Sequence, residues 1–531
     1  GRQSDPDCGL TGIDHFELGI PTDIYYGSGG GTNNPADAAA SFSNVLNTLY
    51  VQDEFRLYDY NLTLVAGLRY DWFTSDDRPK FNQAFTTLNG GLPNDVNIDG
   101  VDLLMPRLGF TWDALDNLTV RGGLGLYSGG NPNVWISNAW SNDGLSNVQV
   151  RDRNNSNQSV LTDYVLSGSQ RPGYDVPQAM KDQVAATTAA NASNSFLVLI
   201  DPDYEQPSEW KFALGATYTL PTGTILEGDY LYSKQNDPAY YVDVAQDVVG
   251  ATTAGQPIYA NVRGQSNFML TNSGESPDSH SLSLLAKQTH DWGLDWTFGY
   301  AFTQAEDVSP MTSAVAGSNF SNLALFDVNN PTSGTSNYES PHRFTARVSF
   351  GKEFLPGYET RVTAQWFRAK GQPQSYVMSS RGLEGSNSGN RRHLLYVPGP
   401  NDPNVVVGPN FDVAAFSQFI DDNGLSQGFA TRNDQYSRWT SRMDLRLDQE
   451  LPAFFEGARG RVYLKVYNIL NLLNDKWGHQ YDAQFFSPDV VTQSLNAQGQ
   501  YVFERFNPRS ISDLQETQSL WQVRLGLQFE F

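Results

Sequence analysis

Residues Trp521 to Phe531 read W-Q-V-R-L-G-L-Q-F-E-F, and on an extended chain they separate into two faces. Trp521, Val523, Leu525, Leu527, Phe529 and Phe531 fall on one side. Gln522, Arg524, Gly526, Gln528 and Glu530 fall on the other, because strand side chains alternate with a period of two. One face suits an apolar medium, the other water, and an aromatic residue closes the run. A soluble antiparallel sheet alternates too, so the fold turns on whether the rest of the chain obeys the same rule and on how its strands are joined.

Upstream, the rule recurs in pairs. A strand at about 47 to 58 meets the short turn Asp59-Tyr60-Asn61, then Leu62, Leu64, Ala66, Leu68, Tyr70 and Trp72 alternate with Thr63, Val65, Gly67, Arg69 and Asp71. Leu108, Phe110 and Trp112 turn at Asp116-Asn117 and return through Leu118, Val120, Leu124 and Leu126. After more than seventy residues with almost no periodicity, Trp210, Phe212, Leu214, Ala216, Tyr218 and Leu220 turn at Pro221-Thr222-Gly223 and return through Leu226, Tyr230 and Tyr232. Further pairs turn near Asp291-Trp292-Gly293, at Pro356-Gly357 and near Phe455-Glu456-Gly457, and a last long connection with strand pieces of its own leads to the closing strand. Short turns alternate with long connections six times over. A sandwich or propeller has no reason to lengthen every second connection; a transmembrane antiparallel β-barrel has one, with short periplasmic turns and long extracellular loops. The reading is therefore an all-β transmembrane barrel occupying 47–531, preceded by an extracellular loop segment, 1–46, rich in Gly, Asn, Asp and Ala.

Composition agrees. Hydrophobic residues make up 39% of the 531 residues, too few for several soluble cores, while aromatic residues reach 13%, the supply that two interfacial girdles need. No apolar run approaches the roughly 18–20 residues of a spanning helix; the densest is Phe196-Leu197-Val198-Leu199-Ile200. A net charge of −23 argues against nucleic acid as a partner. The N-terminus, Gly1-Arg2-Gln3-Ser4-Asp5-Pro6-Asp7, carries no signal-peptide pattern, which predicts a processed chain or a fragment.

Particular stretches carry a family resemblance. Tyr50-Val-Gln-Asp-Glu-Phe55, Leu64-Val-Ala-Gly-Leu-Arg-Tyr-Asp71, Met105-Pro-Arg-Leu-Gly-Phe-Thr-Trp112, Asp201-Pro-Asp-Tyr-Glu-Gln-Pro-Ser-Glu-Trp-Lys211 and Tyr467-Asn-Ile-Leu-Asn-Leu-Leu-Asn-Asp-Lys-Trp-Gly478 resemble the barrel of TonB-dependent outer-membrane receptors, in particular the large Oar-like, OmpA-related group. The terminal strand resembles the signal that barrel-assembly machinery reads, with Trp521, Val523, Leu525, Leu527, Phe529 and Phe531 as its apolar residues. The resemblance implies a Gram-negative outer-membrane barrel of twenty-two strands, filled by an N-terminal plug and driven through TonB. About thirteen strands are found, so plug, TonB box and about nine strands are expected from an upstream segment or another polypeptide. The function implied is active uptake of a solute such as a peptide, glycan or siderophore-like molecule. Alternatives are a passive channel or porin, or an anchor that docks an extracellular protein; outer-membrane lipid and lipopolysaccharide would surround the wall.

Candidate sites follow from the polar faces and loops. Arg69, Asp71, Arg107, Asp113, Arg121, Lys211, Arg347, Arg442, Asp444, Arg446, Asp448, Arg461, Lys465 and Arg524 would line the lumen, as a substrate path or as cross-strand ion pairs in a wet interior. Asp95-Val-Asn-Ile-Asp-Gly100 opens like an oxygen-ligand Ca²⁺ loop, with Asp95, Asn97 and Asp99 as ligands, but Pro106 stands where the bidentate Glu belongs, and a turn is the competing role. Cys8, the only cysteine, is a candidate for a disulfide to the upstream segment. The histidines His15, His280, His290, His342, His393 and His479 form no H-E-x-x-H pair, and no nucleophile elbow, P-loop or dinucleotide fingerprint is present, so no enzyme is expected. Trp135, Trp140, Tyr240, Tyr241 and Tyr376 would either meet ligand from outside or pack the loops together.

Overall fold

The computed structural model describes residues 23–153, 176–192, 196–385, 392–452 and 458–530, together with Ile13. Thirteen long strands make one antiparallel sheet: β1 (Val45–Leu57), β2 (Leu62–Thr74), β3 (Asp102–Leu115), β4 (Leu118–Ser128), β5 (Ser208–Thr219), β6 (Ile225–Asn236), β7 (Asp278–Thr289), β8 (Leu294–Asp307), β9 (His342–Leu355), β10 (Tyr358–Ala369), β11 (Thr440–Pro452), β12 (Arg459–Tyr467) and β13 (Gln522–Glu530). Each pairs with the next in chain order, and the two-residue strand Gly334–Thr335 is added to β8. Among the described residues β1 and β13 have no second partner, so both edges are open.

The tight turns follow from local chemistry. Asn61 takes the left-handed conformation (φ 49°) between β1 and β2, which an Asn side chain tolerates. Gly293 (φ 99°) ends the β7–β8 turn, where a Cβ would overlap the Gly351 carbonyl. The turn residues Phe455, Glu456 and Gly457 lie outside the described residues.

Register aligns like with like across the sheet. One row runs Phe55, Leu64, Phe110, Gly122, Leu214, Tyr230, Leu282, Phe302. Another runs Trp296, Val348, Ala364, Leu445, Val466, Val523. These side chains are not a core: Leu108, Leu284, Leu525 and Leu527 on the same face are exposed. A one-sided apolar belt over so many strands matches a wall whose outer medium is hydrocarbon. At Gly122 the belt is patched by Phe110, whose ring carbon lies 2.6 Å from where a Cβ would stand, so the ring covers the bare backbone.

The buried core lies elsewhere, in the long connections. The long connections, most of them expected to be loop, form a cap with its own sheets and helices. The segment 1–46, read as loop, contains a strand, Asp23–Gly29, antiparallel to Asn147–Arg153. The aperiodic connection after β4 holds the helix Asn133–Ser141 and the strand Val198–Ile200, which pairs in parallel with Phe268–Asn272. His393–Leu394, Val377–Met378, Asp489–Leu495, Tyr501–Phe506 and Val405–Val407 make a five-stranded sheet from two different loops. The helix Val413–Asn423 starts where the Asp412 carboxylate accepts from Ala415 N (2.9 Å), stops at left-handed Gly424, and buries Phe416. The two largest apolar cores that result lie around Ile136, Trp140, Ile200, Tyr241, Phe268 and Phe320, and around Tyr376, Leu395, Phe416, Val491, Tyr501 and Phe503; smaller ones form around Val148, Leu199 and Val377. The last connection holds strand pieces, as expected there; periodicity missed most of the other elements, several of whose partners lie in other loops.

Candidate functional site

The opposite face of the sheet is polar, and its glycines let charged side chains lie across neighbouring strands. Arg121, Gly215 and Asp229 are consecutive in one cross-strand row. With no side chain at Gly215, Arg121 Nη2 reaches the Asp229 carboxylate at 2.6 Å; a Cβ there would overlap that carboxylate. Gly351 plays the same part beside Glu359 and Arg361, where Arg361 Nη2 donates to Glu359 at 2.7 Å and Nη1 to Asp295 at 2.9 Å. Seven strands, β2 to β8, line one cavity of about 740 Å³ that includes Thr63, Thr111, Arg121, Asp229, Ser283 and Thr303. The sheet is thus curved with its polar face concave.

The lumen-side residues resolve mostly into pairs. Arg69 bonds Asp71 (2.8 Å) and Lys211 bonds Glu209 (3.0 Å). Arg442 (2.8 Å) and Lys465 (3.6 Å) share Asp444. Arg446 holds Asp448 (2.6 Å), and Arg461 reaches Glu450 (3.2 Å). Arg107 stacks over Tyr127 and Arg524 over Tyr467, while Asp113 accepts from Thr119 (2.7 Å). Arg347, Arg361, Asp444, Arg446 and Glu450 line a second cavity of about 280 Å³. Most of these groups remain partly solvated, so each pair contributes about 0–1 kcal/mol; together they fix a charge-balanced, hydrated wall.

The loops meet at a buried polar junction that the sequence did not announce. Glu384, Arg392 and His393 are all almost fully buried. Arg392 donates Nε to Glu384 Oε1 (2.9 Å) and Nη2 to Oε2 (3.1 Å), packs its guanidinium 3.9 Å from the Phe320 ring centroid, and also donates to the Phe320 carbonyl. Gln256 links the neighbours: its Oε1 accepts from the Tyr501 hydroxyl (2.8 Å), and its Nε2 donates to the Phe326 carbonyl (2.9 Å) and to His393 Nδ1 (3.0 Å). Because a side-chain amide nitrogen only donates, His393 Nδ1 is the acceptor and its Nε2 carries the proton given to Glu384 at 2.7 Å. Burial opposes the Glu384 charge, but Arg392 and His393 outweigh it and hold the carboxyl down at about 2. Burial pushes His393 below its ordinary value, in keeping with the neutral tautomer. A second tie joins cap to wall: buried Arg432 pairs with Asp307 at the end of β8 and donates Nη1 to the Val308 carbonyl (2.9 Å).

Other sequence candidates take definite places. Trp140 and Tyr241 lie in the first apolar core and Tyr376 in the second; Trp135 packs against the first, and Tyr240 is half-buried. Asn97 spends its amide on the Ser75 and Asp77 carbonyls (both 2.9 Å), Asp99 accepts from Ser75 N (3.0 Å), and the Asp95 carbonyl accepts from Arg78 (3.3 Å). The stretch thereby ties the β2–β3 loop to itself. Among the described residues no three His, Cys, Asp or Glu side chains converge to hold a metal. Cys8, His15 and Phe531 lie outside the described residues.

A family model described as an outer membrane beta barrel domain matches residues 3–485. Among solved structures, the outer membrane transporter YddB from Escherichia coli aligns over 92% of this chain and 45% of its own, at 14% identity and TM-score 0.42. The siderophore receptor PirA from Acinetobacter baumannii aligns over 81% and 42%, at 11% identity and TM-score 0.40. The FrpB iron transporter from Neisseria meningitidis (F5-1 variant) aligns over 81% and 42%, at 12% identity and TM-score 0.38. The chain spans less than half the length of these structures. No curated protein matches it.

Proposed function

Because the chain belongs to the outer membrane beta barrel domain family, we propose that it supplies wall and outer loops to an active, TonB-dependent transporter of the Oar-like kind. The observation that carries this reading is the pairing of a hydrated, charge-balanced concave face with a cap built on two apolar cores. A simple diffusion pore gains nothing from loops welded together by a buried ion-pair junction; a receptor that selects a scarce solute does.

The open edges of β1 and β13 bear on the partners. Unpaired backbone N–H and C=O groups are not tolerated in hydrocarbon, where each costs several kcal/mol. Upstream strands and a plug would close the wall, the plug would carry the contact to TonB, and Trp521 to Phe531 would be read during assembly. No catalytic step is assigned to the chain. The solute is a peptide, a glycan or a siderophore-like molecule in this reading. A second reading, an anchor that docks an extracellular protein, is favoured by Phe485 and Phe486, which stack edge to face at 4.8 Å and stand 78% and 57% exposed on one loop.

The test uses the full-length protein in planar bilayers and in a pull-down with the periplasmic domain of TonB. The transporter reading expects a silent bilayer and retention of TonB. Steady conductance would make the protein a channel, and a silent barrel that ignores TonB but co-purifies with an outer subunit would make it an anchor.

A further inference from the structure

Near the loop ends of β8 to β11 the outer face of the sheet carries a cation set among aromatic rings. There the row Tyr300, Phe344, Arg368, Ser441 puts a guanidinium on the hydrocarbon-facing side. Arg368 is exposed, and Lys370 follows it just beyond the end of β10. Both cations lie over aromatic rings: Arg368 is 5.0 Å and Lys370 6.0 Å from the Trp439 ring centroid, and Lys370 is 5.4 Å from that of Tyr436. Among the described residues no carboxylate comes within ion-pair distance of either. Tyr300, His342, Phe344, Trp366, Arg368 and Trp439 line an open groove of about 620 Å³. Its walls are fixed rather than fluid. The Tyr300 hydroxyl meets His342 Nδ1 (3.0 Å), Trp366 Nε1 donates to Ser441 Oγ (3.0 Å), and His342 stacks parallel to Trp439.

An unpaired cation facing hydrocarbon is costly, whereas the same cation at headgroup depth, backed by Trp and Tyr, suits an anionic lipid. Resting on the orientation that family membership gives the wall, with the long loops outside, we propose that this groove binds a phosphorylated glycolipid of the outer leaflet. Arg368 and Lys370 receive its phosphate, and an acyl chain lies along Phe344 and Trp366. Arg suits this task because its planar fork can meet two phosphate oxygens at once. The ring stack holds the fork in place before the lipid arrives.

The full-length protein, purified in detergent, is exchanged with diphosphorylated lipid A or with its dephosphorylated form and examined by native mass spectrometry. The wild type is expected to retain the diphosphorylated lipid at least tenfold more than the dephosphorylated one, and the Arg368→Ala/Lys370→Ala variant to lose that preference. Arg368→Lys should keep part of it. Equal retention of both lipids by the wild type, or an undiminished preference in the double variant, would overturn the proposal. So would loss on Trp366→Ala alone with the double variant unaffected, which would mark a generic aromatic belt. Heat-modifiable migration on gels certifies that each variant is folded, and bilayer silence and TonB retention, read separately, keep failure here distinct from failure of the transporter reading.

Discussion

Substituting Glu384→Gln removes one charge from the loop junction and almost no volume. Arg392, 1% exposed, would keep its positive charge with the Phe320 ring and carbonyl but lose the carboxylate bonded to it. Removing one partner of a buried pair costs about 3–5 kcal/mol, because the remaining charge is left uncompensated. At about 1.4 kcal/mol per factor of ten, the opened cap should rise in population roughly a hundred-fold to a few thousand-fold. Hydrogen exchange of the full-length protein in detergent reads this directly. Segments around Val377–Met378, His393–Leu394 and Tyr501–Phe506 should exchange faster by that factor, and wall strands β9 and β10 should not change. Adding Arg392→Met should restore most of the protection, since the orphaned charge is then gone. The wild type should show the related pH effect. Both His393 and Glu384 sit below their ordinary values, so an opened cap takes up protons that the closed cap refuses, and stability falls as pH drops. The loss begins near the ordinary His value of about 6.5 and continues from about 4.3 down to the Glu384 value of about 2. His393 faces Glu384, Arg392 and Asp327, so its own step depends on the Glu384 charge and should change in Glu384→Gln. Unchanged cap exchange in Glu384→Gln, or equal loosening of cap and wall, would refute the assignment of the junction as the local tie between loops.

Three further outcomes separate the faces of the wall. Leu214→Lys places a cation in the outer row and should cost about 2–4 kcal/mol if that row faces the bilayer midplane, whereas Ser283→Lys, on the concave face, should cost under about 1 kcal/mol; denaturant titration of the folded barrel distinguishes them, and equal losses would contradict the assigned faces. Gly215→Val drives a side chain into the Asp229 carboxylate and breaks its bond to Arg121, so about 1–3 kcal/mol should be lost; Gly250→Val, with open space around it, serves as the control. Phe529→Ala combined with removal of Phe531 should lower the fraction of protein that reaches the heat-modifiable, membrane-inserted form while leaving synthesis unchanged, and normal assembly would remove the terminal strand from the role of assembly signal.

The wall was legible because one rule governs it residue by residue. Lipid on one side and water on the other force alternation along the strands, broken only at a few positions such as Arg368. That is why β2 was readable from Leu62 to Trp72 and β13 from its first apolar residue onward. The cap was not legible because its folding rule is non-local. Gln256, Glu384, His393 and Tyr501 lie on three separate loops and become neighbours only after the wall has brought those loops to one end. Nothing around His393 in the sequence distinguishes it from a surface histidine. The same contrast explains the lumen charges: Arg121, Arg446 and Asp448 were visible as polar-face residues, but Asp229, Glu359 and Glu450, which complete the pairs, were not singled out. Their selection is a matter of register rather than of pattern: Asp229 faces Arg121 across Gly215, and Glu450 stands directly opposite Arg461. Gly215 and Gly351 read as weak points in their strands when taken alone; in register Gly215 is the gap through which the Arg121–Asp229 pair crosses the sheet, and Gly351 leaves the space that Glu359 and Arg361 of β10 fill. A register-aware reading would pair a polar-face glycine with opposite charges on the strands flanking it, and in this wall that rule recovers Arg121–Asp229 across Gly215 without knowledge of the cap.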